Sequence, residues 1–177
     1  MIDLSNEKDP YGGVKVQFAP EYSQSAYNTM VRSEVAIGDY IGFNTSENGV
    51  SELARKHMIT LMEDLNRMKD YKEETLFLAA SIADRYLVNL TVKKIATPCL
   101  IRLAIICTLM AAKLEQPIQP SFNRMVKLVA EQWDVQLTRQ DLLDMEENVI
   151  RTLDFDLRSV GPLLFLERYQ RVFMLHN

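Results

Sequence analysis

From residue 51 onward, apolar residues recur at helical spacing, and short polar or proline-containing breaks separate the runs. In 51–67, Leu53, Met58, Leu61, Met62 and Leu65 form one apolar stripe of an amphipathic helix. A second helix over 73–88 carries Leu76, Leu78, Ile82, Tyr86 and Leu87. The third segment predicts an N-cap at Thr97, proline at the first helical position (Pro98) and an end before Pro117. Between Cys99 and Ala112 its only polar residues are Arg102 and Thr108. A fourth helix starts at the Ser121 cap with Phe122, Met125, Val126, Leu128 and Val129, and residues 131–137 follow as a loop. The fifth opens at Thr138, with Asp141 three residues on in a capping-box arrangement, and reaches Leu153. A sixth follows Gly161-Pro162, and a short helix is expected around 25–35 within an otherwise irregular N-terminal stretch. No alternating strand pattern of useful length occurs, so the fold class is all-α.

The third segment has scarcely any polar face. A helix apolar all round must be surrounded by others, and Ala104, Ala111 and Ala112 let neighbours approach closely. The pattern therefore predicts a bundle of five helices with this one at the centre, an N-terminal arm before it and an extra helix after it. Ala104, Ile106, Cys107 and Ala111 should be inaccessible.

Composition narrows the function. A formal charge of −4 gives no general attraction to nucleic acid or to an anionic membrane. The longest apolar run falls short of the roughly 18 residues of a membrane span. The acidic start MIDLSNEKDP lacks the apolar core of a secretory leader. An intracellular protein of the nucleus or cytoplasm is expected, with Cys99 and Cys107 as reduced thiols. Eight residues apart in one helix, they stand roughly 12 Å apart along its axis, too far to bridge. Two histidines outside any ligand-like group, and no glycine-rich phosphate loop, argue against an enzyme, a metal or a cofactor.

Some charges sit where the pattern does not want them. Lys113 continues an apolar face one turn after Leu109 and Met110; its simplest role is a snorkelling lysine that complements the helix C-terminal dipole. Glu146 has Leu142, Leu143, Val149 and Ile150 as its helical neighbours. It is either paired inside the fold or held at an apolar surface for a partner, and the pattern does not separate the two. Asp84, beside Ala80, Leu87 and Val88, needs a partner, for which Arg55 is the candidate. Removing either member of that pair should strand a charge.

The blocks ETLFLAASIADRYL (74–87), LAIICTLMAAKLEQPIQP (103–120) and DLLDMEENVIRTLDFDL (141–157) together resemble the N-terminal cyclin box of the cyclins. The resemblance covers about 51–157. It implies a five-helix cyclin box around a central third helix and divides the chain into an arm (1–45), a box (46–157) and a C-terminal helix (158–177) that resembles the start of a second box. It also implies a regulatory subunit that binds and activates a cyclin-dependent protein kinase by positioning its regulatory helix. Lys113 and Glu146 match the residues that hold kinase backbone in the family, with Leu142, Leu143 and Met110 as the apolar rim of that patch. Arg55 and Asp84 match the family's internal salt bridge. At the start of the first box helix many cell-cycle cyclins carry Met-Arg-Ala-Ile-Leu, an apolar patch that recruits substrates. Ala54, Arg55, Lys56, His57 and Met58 stand there in this chain, so that route of recruitment is largely lost. The alternative is a cyclin-fold adaptor, or a transcription-factor-like protein, with a different partner.

Overall fold

A computed structural model describes residues 20–33, 50–93 and 95–174. Among them are seven helices and no strand: α1 (Pro20–Ser33), α2 (Glu52–Met68), α3 (Glu73–Val92), α4 (Leu100–Glu115), α5 (Phe122–Trp133), α6 (Arg139–Thr152) and α7 (Pro162–Met174). The chain divides into two units, Ile37–Arg158 and Met1–Ala36 with Ser159–Asn177.

The larger unit is the five-helix bundle α2–α6. The α4 helix lies against α2, α3 and α6, and α5 lies against α6. Every residue from Leu103 to Ala112 is buried, including Ala104, Ile106, Cys107 and Ala111, each wholly inaccessible. The lone hydroxyl in that run, Thr108, donates to the Ala104 carbonyl at 2.9 Å, which satisfies it without leaving the helix. Met62, Leu65, Ile82, Leu87, Met125 and Val129 close around α4 from its neighbours.

Local chemistry fixes the ends. Ser51 Oγ accepts from Ala54 N at the start of α2, and Ser121 Oγ accepts from Arg124 N at the start of α5. Thr138 and Asp141 form a full capping box on α6, each side chain accepting from the other's backbone N–H. Between α2 and α3, Asn66 Nδ2 donates to the carbonyls of Tyr71 and Lys72 at 3.1 and 3.3 Å and holds the turn shut. After α6, Asp154 and Phe155 both take left-handed backbone, with φ of 50° and 63°. The chain is then caught by Arg85, which donates to the carbonyls of Asp156 at 2.8 Å and Leu157 at 2.9 Å.

Four boundaries differ from the sequence reading. Thr97 is not the cap of the central helix: α4 begins at Leu100, its N-cap is Cys99, and no side chain accepts there. The α3 helix continues past Val88 to Val92, because Leu90 is still buried and the Asn89 and Thr91 side chains bond back to carbonyls within the helix. Residues 131–133 are helical, and α5 stops only where Asp134 enters the left-handed region at φ 53°. In the smaller unit α1 starts five residues earlier than expected, at Pro20, since proline suits a first helical position. There Tyr27 meets Phe165 of α7 edge to face, with centroids 6.3 Å apart, and the Arg168 guanidinium lies 5.1 Å from the Tyr27 ring centre.

Candidate functional site

The last turn of α4 and the middle of α6 bring Lys113 and Glu146 together. Lys113 Nζ donates to Glu146 Oε1 at 2.5 Å, across 33 residues of sequence. Neither charge is solvated freely: the side chains are 30% and 16% exposed. The Lys113 amine also stands 4.4 Å from the ring centre of Phe122, the first residue of α5. An ammonium over an aromatic face is held by the ring quadrupole. The amine is therefore fixed from two sides, by α6 and α5, while its stem comes from α4.

Of the two sequence readings of Glu146, the structure shows the pairing inside the fold. The pair stands at the rim of the bundle. The expected apolar border is only partly present. Leu142 is fully buried and Met110 is 2% exposed, so both belong to the core and cannot line an exposed patch. The reason is geometric: Met110 lies on a helix enclosed by its neighbours, and Leu142, four residues before Glu146, falls on the side of α6 that faces α4. Leu143 remains half-buried beside Glu146. Phe122 takes the apolar place beside the lysine; in the sequence it reads only as one more member of the α5 stripe.

The stretch after Lys113 is tied down as well. Gln116 Nε2 donates to Thr75 Oγ1 at 2.6 Å, and Gln119 Nε2 donates to the Lys113 carbonyl at 3.3 Å. On the α4–α6 side, Arg102 Nη1 lies 3.2 Å from Asp141 Oδ1. Two hydrogen bonds from Thr138 lower the pKa of the Asp141 carboxyl below its usual range, and Arg102 adds to them.

Arg55 and Asp84 meet in a two-point pair. Arg55 donates from Nε to Oδ1 at 2.9 Å and from Nη2 to Oδ2 at 2.7 Å. Burial is unequal, since the Asp84 side chain is 7% exposed and that of Arg55 is 42% exposed. Beneath them, desolvation and the nearby Asp84 charge raise the Cys107 thiol far above its ordinary range. Among the described residues no group of three His, Cys, Asp or Glu could hold a metal ion.

A lysine has three donors and a carboxylate four acceptor positions, so a pair sharing one bond keeps capacity on both sides. Set on a rigid bundle, it offers charge-assisted bonds to the carbonyls and N–H groups of another chain's backbone.

The profile of the cyclin N-terminal domain matches residues 25–158. The chain belongs to the cyclins. Among curated cyclins it is 28% identical over 151 residues to Cyclin-B2-2 of Oryza sativa subsp. indica, covering 84% of this chain and 34% of that protein. It is 25% identical over 172 residues to G2/mitotic-specific cyclin-B3 of Gallus gallus, covering 96% and 39%. To G2/mitotic-specific cyclin-A of Hydra viridissima it is 27% identical over 150 residues, covering 85% and 34%. The chain spans roughly a third of the length of these cyclins. The family match includes all five bundle helices, α2–α6. At the start of α2, Met58 is buried, whereas Lys56 and His57 are exposed, and Leu53 is exposed by 62%. No helix among the described residues is long and apolar enough to cross a membrane.

Proposed function

We propose that this cyclin binds and activates a cyclin-dependent protein kinase, using the Lys113–Glu146 pair to hold backbone at the kinase's regulatory helix. The observation that carries the reading is the pair itself: opposite charges 2.5 Å apart, partly exposed, anchored on two helices of one core and braced by Phe122. Desolvation offsets much of the attraction within such a pair, so its contribution to folding alone is small and both charges keep bonding capacity for a partner. Binding would fix the kinase helix whose glutamate pairs with the ATP-positioning lysine, so the cyclin favours the active state by differential affinity and does no chemistry itself. Two of the relatives are named as G2/mitotic-specific cyclins, and a cell-cycle role in nucleus or cytoplasm is part of the proposal. So is the reading of 158–177 as the start of a second box.

The test is a binding titration of the wild-type chain, Lys113→Ala and Glu146→Ala against a panel of cyclin-dependent kinases, with circular dichroism as folding control. Each substitution should leave the helix signal intact and weaken association by about 2–5 kcal/mol, as for truncated charges at a desolvated interface. Unchanged affinity in both variants, or no kinase bound at micromolar concentration, refutes the reading. Capture of a different protein by the same surface would favour the adaptor.

A further inference from the structure

Ile118 is the most exposed large apolar side chain among the described residues, at 80%. A single exposed isoleucine is ordinary. This one differs because the backbone that carries it has little freedom to move it. Gln116 N donates to the Ala112 carbonyl at 3.0 Å, and its side chain donates to the Thr75 hydroxyl, which is itself wholly buried. Gln119, the next residue after Ile118, donates to the carbonyl of Lys113. Pro117 and Pro120 fix their own φ angles on either side. The tethered stretch joins Lys113 directly to Phe122, the ring beneath its amine. An apolar tip is therefore held out into water on a short loop whose ends are both part of the charged site.

We infer that Ile118 is the apolar anchor of that site, inserting into an apolar socket of the kinase that borders the helix held by Lys113 and Glu146. The inference rests on the kinase-binding reading above. A bond to backbone gives position without discrimination, since every helix presents the same carbonyls and N–H groups. An apolar side chain on a preorganised loop supplies affinity only where the partner has a matching hollow, and its ordering cost is already met. Ile118 is thus a specificity-determining residue: it sorts among kinases that the charged pair alone would treat alike.

Ile118→Ser, Ile118→Leu, Leu53→Ser and Lys113→Ala are titrated with the wild-type chain against a panel of purified cyclin-dependent kinases, with circular dichroism and thermal melting on each. Ile118→Ser should keep the wild-type melt and weaken the best kinase at least tenfold, flattening the ranking across the panel. Ile118→Leu should stay within about threefold, and Leu53→Ser, an equally apolar exposed site on α2, should change nothing. If Ile118→Ser stays within twofold of wild type while Lys113→Ala is weakened, the anchor is wrong and the charged site stands. If the wild-type chain binds no kinase, both fall together.

Discussion

Arg55 and Asp84 share the same two hydrogen bonds, yet removing one should cost more than removing the other. The perturbation pair is Arg55→Met, which keeps the apolar stem, and Asp84→Ala. With the arginine gone, a carboxylate whose side chain is 7% exposed is left without its cation, next to the buried Cys107. An uncompensated buried charge costs about 3–5 kcal/mol. With the aspartate gone, a guanidinium that is 42% exposed turns to water and recovers much of its solvation. The loss is then mainly that of the charge-assisted bonds, about 1.5–3 kcal/mol. Arg55→Met should therefore be the more damaging by about 1 kcal/mol or more. Replacing both, as Arg55→Met with Asp84→Leu, should cost less than Arg55→Met alone, because no charge is stranded. Urea unfolding followed by circular dichroism measures this directly, with an unchanged slope required for the comparison. Thermal melting should follow at roughly 2–4 °C per kcal/mol for a chain of this size. If Asp84→Ala proves as destabilising as Arg55→Met, the argument from unequal burial is wrong.

Three further outcomes are expected. The two hydrogen bonds from Thr138 hold the Asp141 carboxyl below its ordinary range, so its folded pKa lies under its unfolded one. The stability it contributes is fully present above the unfolded pKa and is lost as pH falls through the folded value. Asp141→Asn should thus flatten the acid limb of the stability curve below about pH 4 and leave its shape unchanged at neutral pH. In the native chain a soluble maleimide should label Cys99, which is exposed, and spare Cys107, which is buried with a raised pKa; mass spectrometry should count one adduct, and two in denaturant. Thr75→Val removes the acceptor of the half-buried Gln116 amide at a residue that is itself wholly buried. It should destabilise by about 1–3 kcal/mol in urea titration, and an unchanged midpoint would show that the bond contributes nothing.

Most of the bundle was readable because its signal is local. The periodic apolar stripes of α2, α5 and α6, the capping box at Thr138 and the absence of a polar face on α4 all lie within a few turns of sequence. The cap of α4 escapes the local signal for the opposite reason: it lies at Cys99, not at Thr97. Thr97-Pro98 satisfies a local rule worth about 1 kcal/mol, but where this helix starts is governed by the buried run from Leu103 to Ala112. At the site, Lys113 and Glu146 could each be singled out as charges on apolar faces. Their bond to one another spans 33 residues and is a product of how α4 and α6 pack. The same packing turns Leu142 and Met110 inward, although both neighbour the pair along their helices. Phe122 carried no signal of its own, since an aromatic at the start of an amphipathic helix is ordinarily core.

The Arg85 clamp changes what counts as the edge of a transplantable module. By helix content the bundle stops at Thr152, and a designer grafting it into another polypeptide would trim there. The guanidinium of Arg85, only 13% exposed, takes its acceptors from Asp156 and Leu157, beyond that cut. A graft trimmed at the helix would leave a cation in the wall of α3 facing an empty slot. The five residues after α6 are thus integral to the module and must travel with it, whatever sequence is fused behind them.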